Sequence, residues 1–427
     1  MKKVLIVTYY WPPAGGPGVQ RWLKFAKYLP GYGIDPVIYV PENPHYPLKD
    51  NSLEAEIPSE IKVLKKDIFE PYAFAEVFSK KDTQSISSGI IPKEQKQGFI
   101  QKLMLYIRGN FFIPDARKFW IKPSVNYLSG YLKEHQIDTI ITTGPPHSMH
   151  LIGLQLKEKL QVNWMADFRD PWTQIGYHDQ LKLTKSSQTK HEQLEKEVLQ
   201  KADLIITTSY TTQKKFREKT TTPVEVITNG YDVEQVEMLP MDEKFSLSHI
   251  GSLLSGRNPE NLWRALSELI SENKDFAADF QLKLIGAVGE PVQESIQKAG
   301  LEQHLHLKNY VSHHEALQLQ RNSQLLLLIE INSEETKGII PGKLFEYLVS
   351  DRPILAVGPQ GADIEKIIRE TNTGSFYLYS QKEEIKTFLL EKYELFKNGD
   401  LKSFPIGLQQ YSRKALTGKL AQQIKKF

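Results

Sequence analysis

A chain of 427 residues with 40% hydrophobic and 25% charged side chains is long enough for two or three ordinary globular domains. Its formal net charge of +3 is too small for wholesale nucleic-acid binding, so any anion chemistry must sit in local clusters. The absence of cysteine excludes a disulfide framework, a Cys-ligated zinc and a thiol nucleophile, and it fits a reducing compartment.

The chain opens with Met1-Lys2-Lys3, as a signal peptide would, but the apolar run that follows is short and stops at Tyr9-Tyr10-Trp11-Pro12-Pro13. It predicts a buried strand over 4–8. No apolar stretch approaches the ~20 residues of a transmembrane helix, so the expected location is cytoplasmic, with peripheral contact at the inner face of the cell membrane. Further strands are predicted over 36–40, 139–143, 162–166, 204–207 and 224–227, with helices over 19–29 and 148–160. The pattern restarts with a strand over 245–250, a helix over 259–271, and strands over 281–285, 305–307, 325–329, 353–357 and 375–378. Alternation of this kind predicts an α/β fold of parallel sheets covered by helices. A polar boundary is expected at 233–244. The stretch 69–126 breaks the rhythm and reads as an insertion, and 407–427 reads as a terminal helix.

Three segments carry the chemistry. Ala14-Gly15-Gly16-Pro17-Gly18 follows the first strand, where a ligand sits in open α/β sheets and where glycine lets the backbone approach it. Pro17 breaks the dinucleotide spacing, and a tight strand-to-helix turn would read the same way. The second segment, His249-Ile250-Gly251-Ser252-Leu253-Leu254-Ser255-Gly256-Arg257, places an arginine just before a helix, and a guanidinium matches phosphate oxygens with paired donors. A surface arginine is the alternative. The third, "KGIIPGKLFEYLVSDRPILAV", puts Lys343 and Glu346 on one helical face, suited to a phosphate and a ribose diol, or to a plain surface ion pair.

Together, the glycine loop, "GSLLSGR", "GKLFEYLVSDRPILA", "ADLIITTS" and "VITNGYD" resemble the retaining family-4 (group 1) glycosyltransferases of the GT-B fold. The resemblance spans nearly the whole chain. It implies two facing Rossmann-like domains with a cleft between them: 1–235 as the acceptor domain with the insertion at about 69–126, 236–406 as the nucleotide-sugar donor domain, and 407–427 crossing back onto the first. It implies a UDP- or GDP-linked sugar as substrate, with no cofactor and no metal. Gly15, Gly16, Gly18, Arg257 and Lys343 would bind the diphosphate. Glu346, Gly338, Gly251 and Ser252 would meet the ribose or sugar. Arg257 and Glu346 match the family pattern. Gly338 stands where the first glutamate of the family's pair would fall, and Asn261 near the usual lysine, so Lys343 and Glu334, Glu335 or the backbone near Gly338 are expected to compensate.

On the acceptor side the catalytic candidates are His147, Asp167, Arg169 and Asp170. A structural Arg169–Asp170 salt bridge and a helix-capping His147 are the alternatives. Within the insertion, the stretch 89–125 carries Lys93, Lys96, Lys102, Arg108, Arg117, Lys118 and Lys122 against only Glu94 and Asp115, with Phe99, Leu103, Tyr106 and Ile107 on one helical face. This suits an anionic bilayer, or else packing on the protein itself. The expected function is retaining sugar transfer to a hydroxyl or lipid-linked acceptor in bacterial surface polysaccharide or glycolipid synthesis, with no nucleic-acid partner. A non-catalytic nucleotide- or sugar-binding protein and a GT-B sugar-nucleotide epimerase are the rival readings.

Overall fold

The computed structural model describes residues 1–70, 99–174, 181–232, 237, 239–254 and 256–427, without the side chains of 17 and 99–102. Lys93, Glu94, Lys96, Ser255 and part of the expected boundary lie outside the described residues, as do the side chains of Phe99 and Lys102. The chain forms two compact units, Met1–Asn229 with Arg413–Phe427, and Gly230–Ser412.

The first unit is built on seven parallel strands: β1 (Lys2–Val7), β2 (Ile34–Pro41), β3 (Lys62–Lys66), β4 (Thr139–Gly144), β5 (Asn163–Phe168), β6 (Leu204–Thr207) and β7 (Val224–Val226). They lie in the order β3-β2-β1-β4-β5-β6-β7. The direction of winding reverses between β1 and β4, which opens the ligand-binding crevice of such sheets at their carboxyl ends. Val4–Val7 and all of β4 are buried, as a parallel sheet covered on both faces requires.

Two elements depart from expectation. β3 was not legible, because it is a polar edge strand in which only Leu64 is buried. Helix Ile121–Glu134 begins inside the stretch expected as an insertion, yet it buries Val125, Leu128 and Leu132 in the core. It is the crossover segment leading into β4.

The terminal helix Arg413–Ile424 belongs to the first unit. It buries Leu416, Leu420, Ala421 and Ile424, and the Arg413 guanidinium donates to Gln20 Oε1 at 2.6 Å and to the Gln20 carbonyl at 3.3 Å. It thereby covers helix Pro17–Tyr28, which follows β1.

The second unit has six parallel strands: β8 (Phe245–Ile250), β9 (Phe280–Ile285), β10 (Leu305–Lys308), β11 (Leu325–Ile329), β12 (Ile354–Gly358) and β13 (Gly374–Leu378). Their order is β10-β9-β8-β11-β12-β13, with the reversal between β8 and β11. All five residues of β11 are buried, and each leucine contributes about 1.5–3 kcal/mol by leaving water. Both units are Rossmann-like.

Candidate functional site

In the second unit the residues gather at the carboxyl ends of β8 and β11. His249, on β8, is fully buried. Its Nδ1 lies 3.0 Å from the Leu327 carbonyl oxygen, which can only accept, so Nδ1 carries the proton. Nε2 is then an acceptor, and Lys343 Nζ donates to it at 3.2 Å. Burial, reinforced by the Lys343 charge, holds this imidazole well below its usual range and keeps it neutral.

Lys343 lies on the short helix Gly342–Leu348. Tyr347 fixes that helix to β8: the Ile250 amide donates to its hydroxyl at 3.0 Å, and the hydroxyl donates to the Ile250 carbonyl at 3.4 Å. Gly251 adopts φ 123°, and a Cβ there would come within 2.7 Å of Lys343 Nζ. The positive φ favours glycine, and a Cβ would also displace the Lys343 ammonium from its place. Burial pushes the Lys343 ammonium down to about 8, the Glu330 carboxylate pulls the other way, and Arg257 adds to the push.

Arg257 Nη2 stands 3.6 Å from Glu330 Oε2. Glu330 follows β11 directly, is only 2% exposed, and its Oε2 has no hydrogen-bond partner among the described residues. Its main chain is clamped, since its amide donates to Val357 O at 2.8 Å and its carbonyl accepts from the Tyr379 hydroxyl at 2.7 Å. Burial raises its pKa, and Arg257 and Lys343 oppose that rise. Glu330 belongs to none of the three segments that carry the chemistry in the sequence. The available signal was an acid that ends the uninterrupted run Leu325–Ile329.

Glu346 is partly exposed. Its Oε1 accepts from His313 Nε2 at 3.1 Å and its Oε2 from Gln320 Nε2 at 2.9 Å, both on helix His313–Asn322. Ser252 is exposed just beyond Gly251, and Gly338 lies in a turn after the single helical turn Glu334–Thr336. Glu334 pairs with Lys337 at 2.6 Å and is largely exposed. Asn261 donates to the Tyr379 carbonyl at 2.8 Å, a structural task. Arg257, Lys343 and Glu330 thus converge, with Glu346 one helical turn beyond Lys343.

The candidates of the first unit gather at the carboxyl ends of β4 and β5, but the geometry corrects the reading of two of them. Asp167, one of the catalytic candidates, is fully buried and saturated. Its Oδ1 accepts from Arg21 Nη2 at 2.8 Å, and its Oδ2 from Trp22 Nε1 and Thr143 Oγ1, each at 2.9 Å. Arg21 also donates to the Thr228 carbonyl at 2.8 Å. Asp167 ties β4 and β5 to helix Pro17–Tyr28. His147 is buried with its ring stacked on Trp172, centroids 4.8 Å apart and planes 3° from parallel, so it packs an aromatic layer.

Arg169 spans the loops. Its guanidinium donates to the Pro145 carbonyl and lies over the Tyr10 ring. Its amide donates to Gly144 O at 2.9 Å. Asp170 is exposed. In the glycine loop, the Gly15 amide donates to Leu48 O at 3.0 Å, Gly16 has φ 102° at the helix entrance, and Gly18 lies against Arg169. Among the described residues no group of three or more histidine or acidic side chains is placed to hold a metal ion.

No family model matches the chain, and no curated protein does. Solved structures do. A sucrose-phosphate synthase from Thermosynechococcus elongatus is similar over 100% of this chain and 99% of its own, at 14% identity and a TM-score of 0.61. HepE from Anabaena, solved in complex with UDP, is similar over 100% of both chains at 12% identity and 0.62. A putative UDP-N-acetylglucosamine 2-epimerase from Listeria monocytogenes is similar over 100% of this chain and 96% of its own, at 11% and 0.55. At such identities the likeness is one of fold: this chain has the two-unit, Rossmann-like GT-B fold.

Proposed function

We propose that this protein is a glycosyltransferase that takes a sugar from a nucleoside diphosphate and delivers it, with retention, to a hydroxyl acceptor. The observation that carries the reading is the convergence of Arg257 and Lys343, the latter braced by neutral His249, at the switch point of the second sheet. Breaking the bond from the anomeric carbon to the diphosphate leaves positive character on the sugar and added negative charge on the leaving group. Two cations fixed in advance lower that barrier without reorganisation. Glu346, partly exposed one helical turn beyond Lys343, would accept hydrogen bonds from a ribose diol, since an ionised carboxylate only accepts. The second unit would hold the UDP- or GDP-linked donor and the first unit the acceptor, with Asp170 as its accessible carboxylate. The leaving phosphate would take the acceptor proton.

The peripheral surface of the first unit fits a lipid-linked acceptor. Leu103, Tyr106, Ile107, Phe111, Phe119 and Phe69 are exposed, and Lys118 lies over the rings of Phe112 and Phe119. Of the acids there, Asp115 is engaged by Ser148 and the Arg117 amide, and Glu70 by the Arg117 guanidinium at 3.1 Å. Cations among exposed aromatics suit an anionic bilayer, as surface polysaccharide or glycolipid assembly would require.

Calorimetry with UDP, GDP and ADP tests the donor site. One of them should bind in the micromolar range, and Arg257→Ala and Glu346→Ala should each weaken it by about 1–3 kcal/mol. No binding to folded protein would remove the donor assignment. Turnover of donor to a stereoisomer without acceptor would favour the epimerase reading, and binding with neither transfer nor hydrolysis a non-catalytic one.

A further inference from the structure

Glu330 is an anomaly in a site read as anion-binding. A carboxylate that is 98% buried stands beside the two cations assigned to the diphosphate, with Arg257 Nη2 at 3.6 Å and Oε2 lacking a hydrogen-bond partner among the described residues. It cannot easily leave. Its amide and carbonyl are held by Val357 and Tyr379, and a Cβ on Gly358 would lie 3.5 Å from its own Cβ, which shows how closely β12 packs on it. The charged and titratable groups facing it are few. Arg257 reaches it from the loop after β8 and Lys343 from helix Gly342–Leu348, while the Tyr379 phenol, after β13, is spent on its main chain.

An incoming diphosphate would claim the same two cations. Three anionic groups would then share them in a desolvated place, where like charges repel strongly. The carboxylate is the member that can give up its charge, because burial already disfavours its ionised form. Once protonated it becomes a donor, able to hydrogen-bond a phosphate or sugar oxygen.

We infer that Glu330 takes up a proton when a nucleoside diphosphate settles between Arg257 and Lys343, changing from their counter-ion into a hydrogen-bond donor within the site. This rests on the donor-site reading above and deepens it.

The test is calorimetry at about pH 7 with whichever of UDP, GDP and ADP binds, in buffers of different ionisation enthalpy, which counts protons exchanged on binding. Lys343, at about 8, is mostly charged there and contributes little. The count for wild type should exceed that for Glu330→Gln by about one proton, and Glu330→Asp should keep most of the uptake. Glu330→Gln should bind as tightly as wild type or up to roughly tenfold tighter. Equal counts for wild type and Glu330→Gln, with nucleotide bound by both, would overturn the inference and leave the donor site standing. If Glu330→Gln does not fold, the wild type decides alone, since affinity that does not fall as pH rises from about 6.5 to 7.5 also overturns it. Failure of folded wild type to bind any of the three nucleotides would overturn both readings.

Discussion

The guanidinium of Arg169 occupies the space above Gly18, so that a Cβ on Gly18 would overlap Arg169 Nη1. This glycine in the first turn of helix Pro17–Tyr28 is thus matched to an arginine 151 positions later in the chain. Gly18→Ala should destabilise the protein by about 1–3 kcal/mol in urea unfolding, as overpacking does. Arg169→Ala in the same chain should recover part of that loss. Additive effects of the two changes would mean that they do not meet.

Arg21 and Asp167 form a buried ion pair fully enclosed by Trp22, Thr143 and Thr228. Removing either partner strands a charge, which costs about 3–5 kcal/mol. Arg21→Met and Asp167→Leu should each lower the unfolding free energy by about that amount. The double variant should lose much less than the sum, because neither charge is then left alone.

In the proposed donor site, the Lys343 ammonium, pushed down to about 8, should give nucleotide binding an alkaline limb. The charged form attracts the diphosphate and is lost as pH rises through about 8, so nucleotide affinity should fall by up to tenfold per pH unit above it. Lys343→Arg holds its charge throughout and should move the fall to higher pH. A profile identical in both proteins would separate Lys343 from the diphosphate.

If the exposed aromatic and basic surface meets lipid, the protein should float with vesicles containing phosphatidylglycerol and not with phosphatidylcholine alone. Lys118→Glu with Phe119→Ser should reduce that recovery several-fold, and salt should weaken it. Equal recovery with both lipids, or none with either, would assign this face to another role.

The sequence alone determined the alternation of buried strands and amphipathic helices, because central parallel strands are continuous apolar runs such as Leu325–Ile329 and announce themselves. It also offered Arg257, Lys343 and Glu346 as candidates, because Arg257 and Lys343 each follow a glycine and Glu346 shares a helical face with Lys343. It could not show β3, whose edge position leaves one buried residue, nor that helix Ile121–Glu134 belongs to the core. Tertiary structure decided what each charge is for. Asp167 and Asp170 are three residues apart and look alike in sequence, yet one is saturated by Arg21, Trp22 and Thr143 while the other is exposed. Glu330 carries no signal of its own beyond ending an apolar run, and only the fold brings Arg257 and Lys343 to it, from elements 73 residues before and 13 after. Hydrogen-bond saturation and charge neighbours are properties of long-range contacts, and local spacing does not encode them.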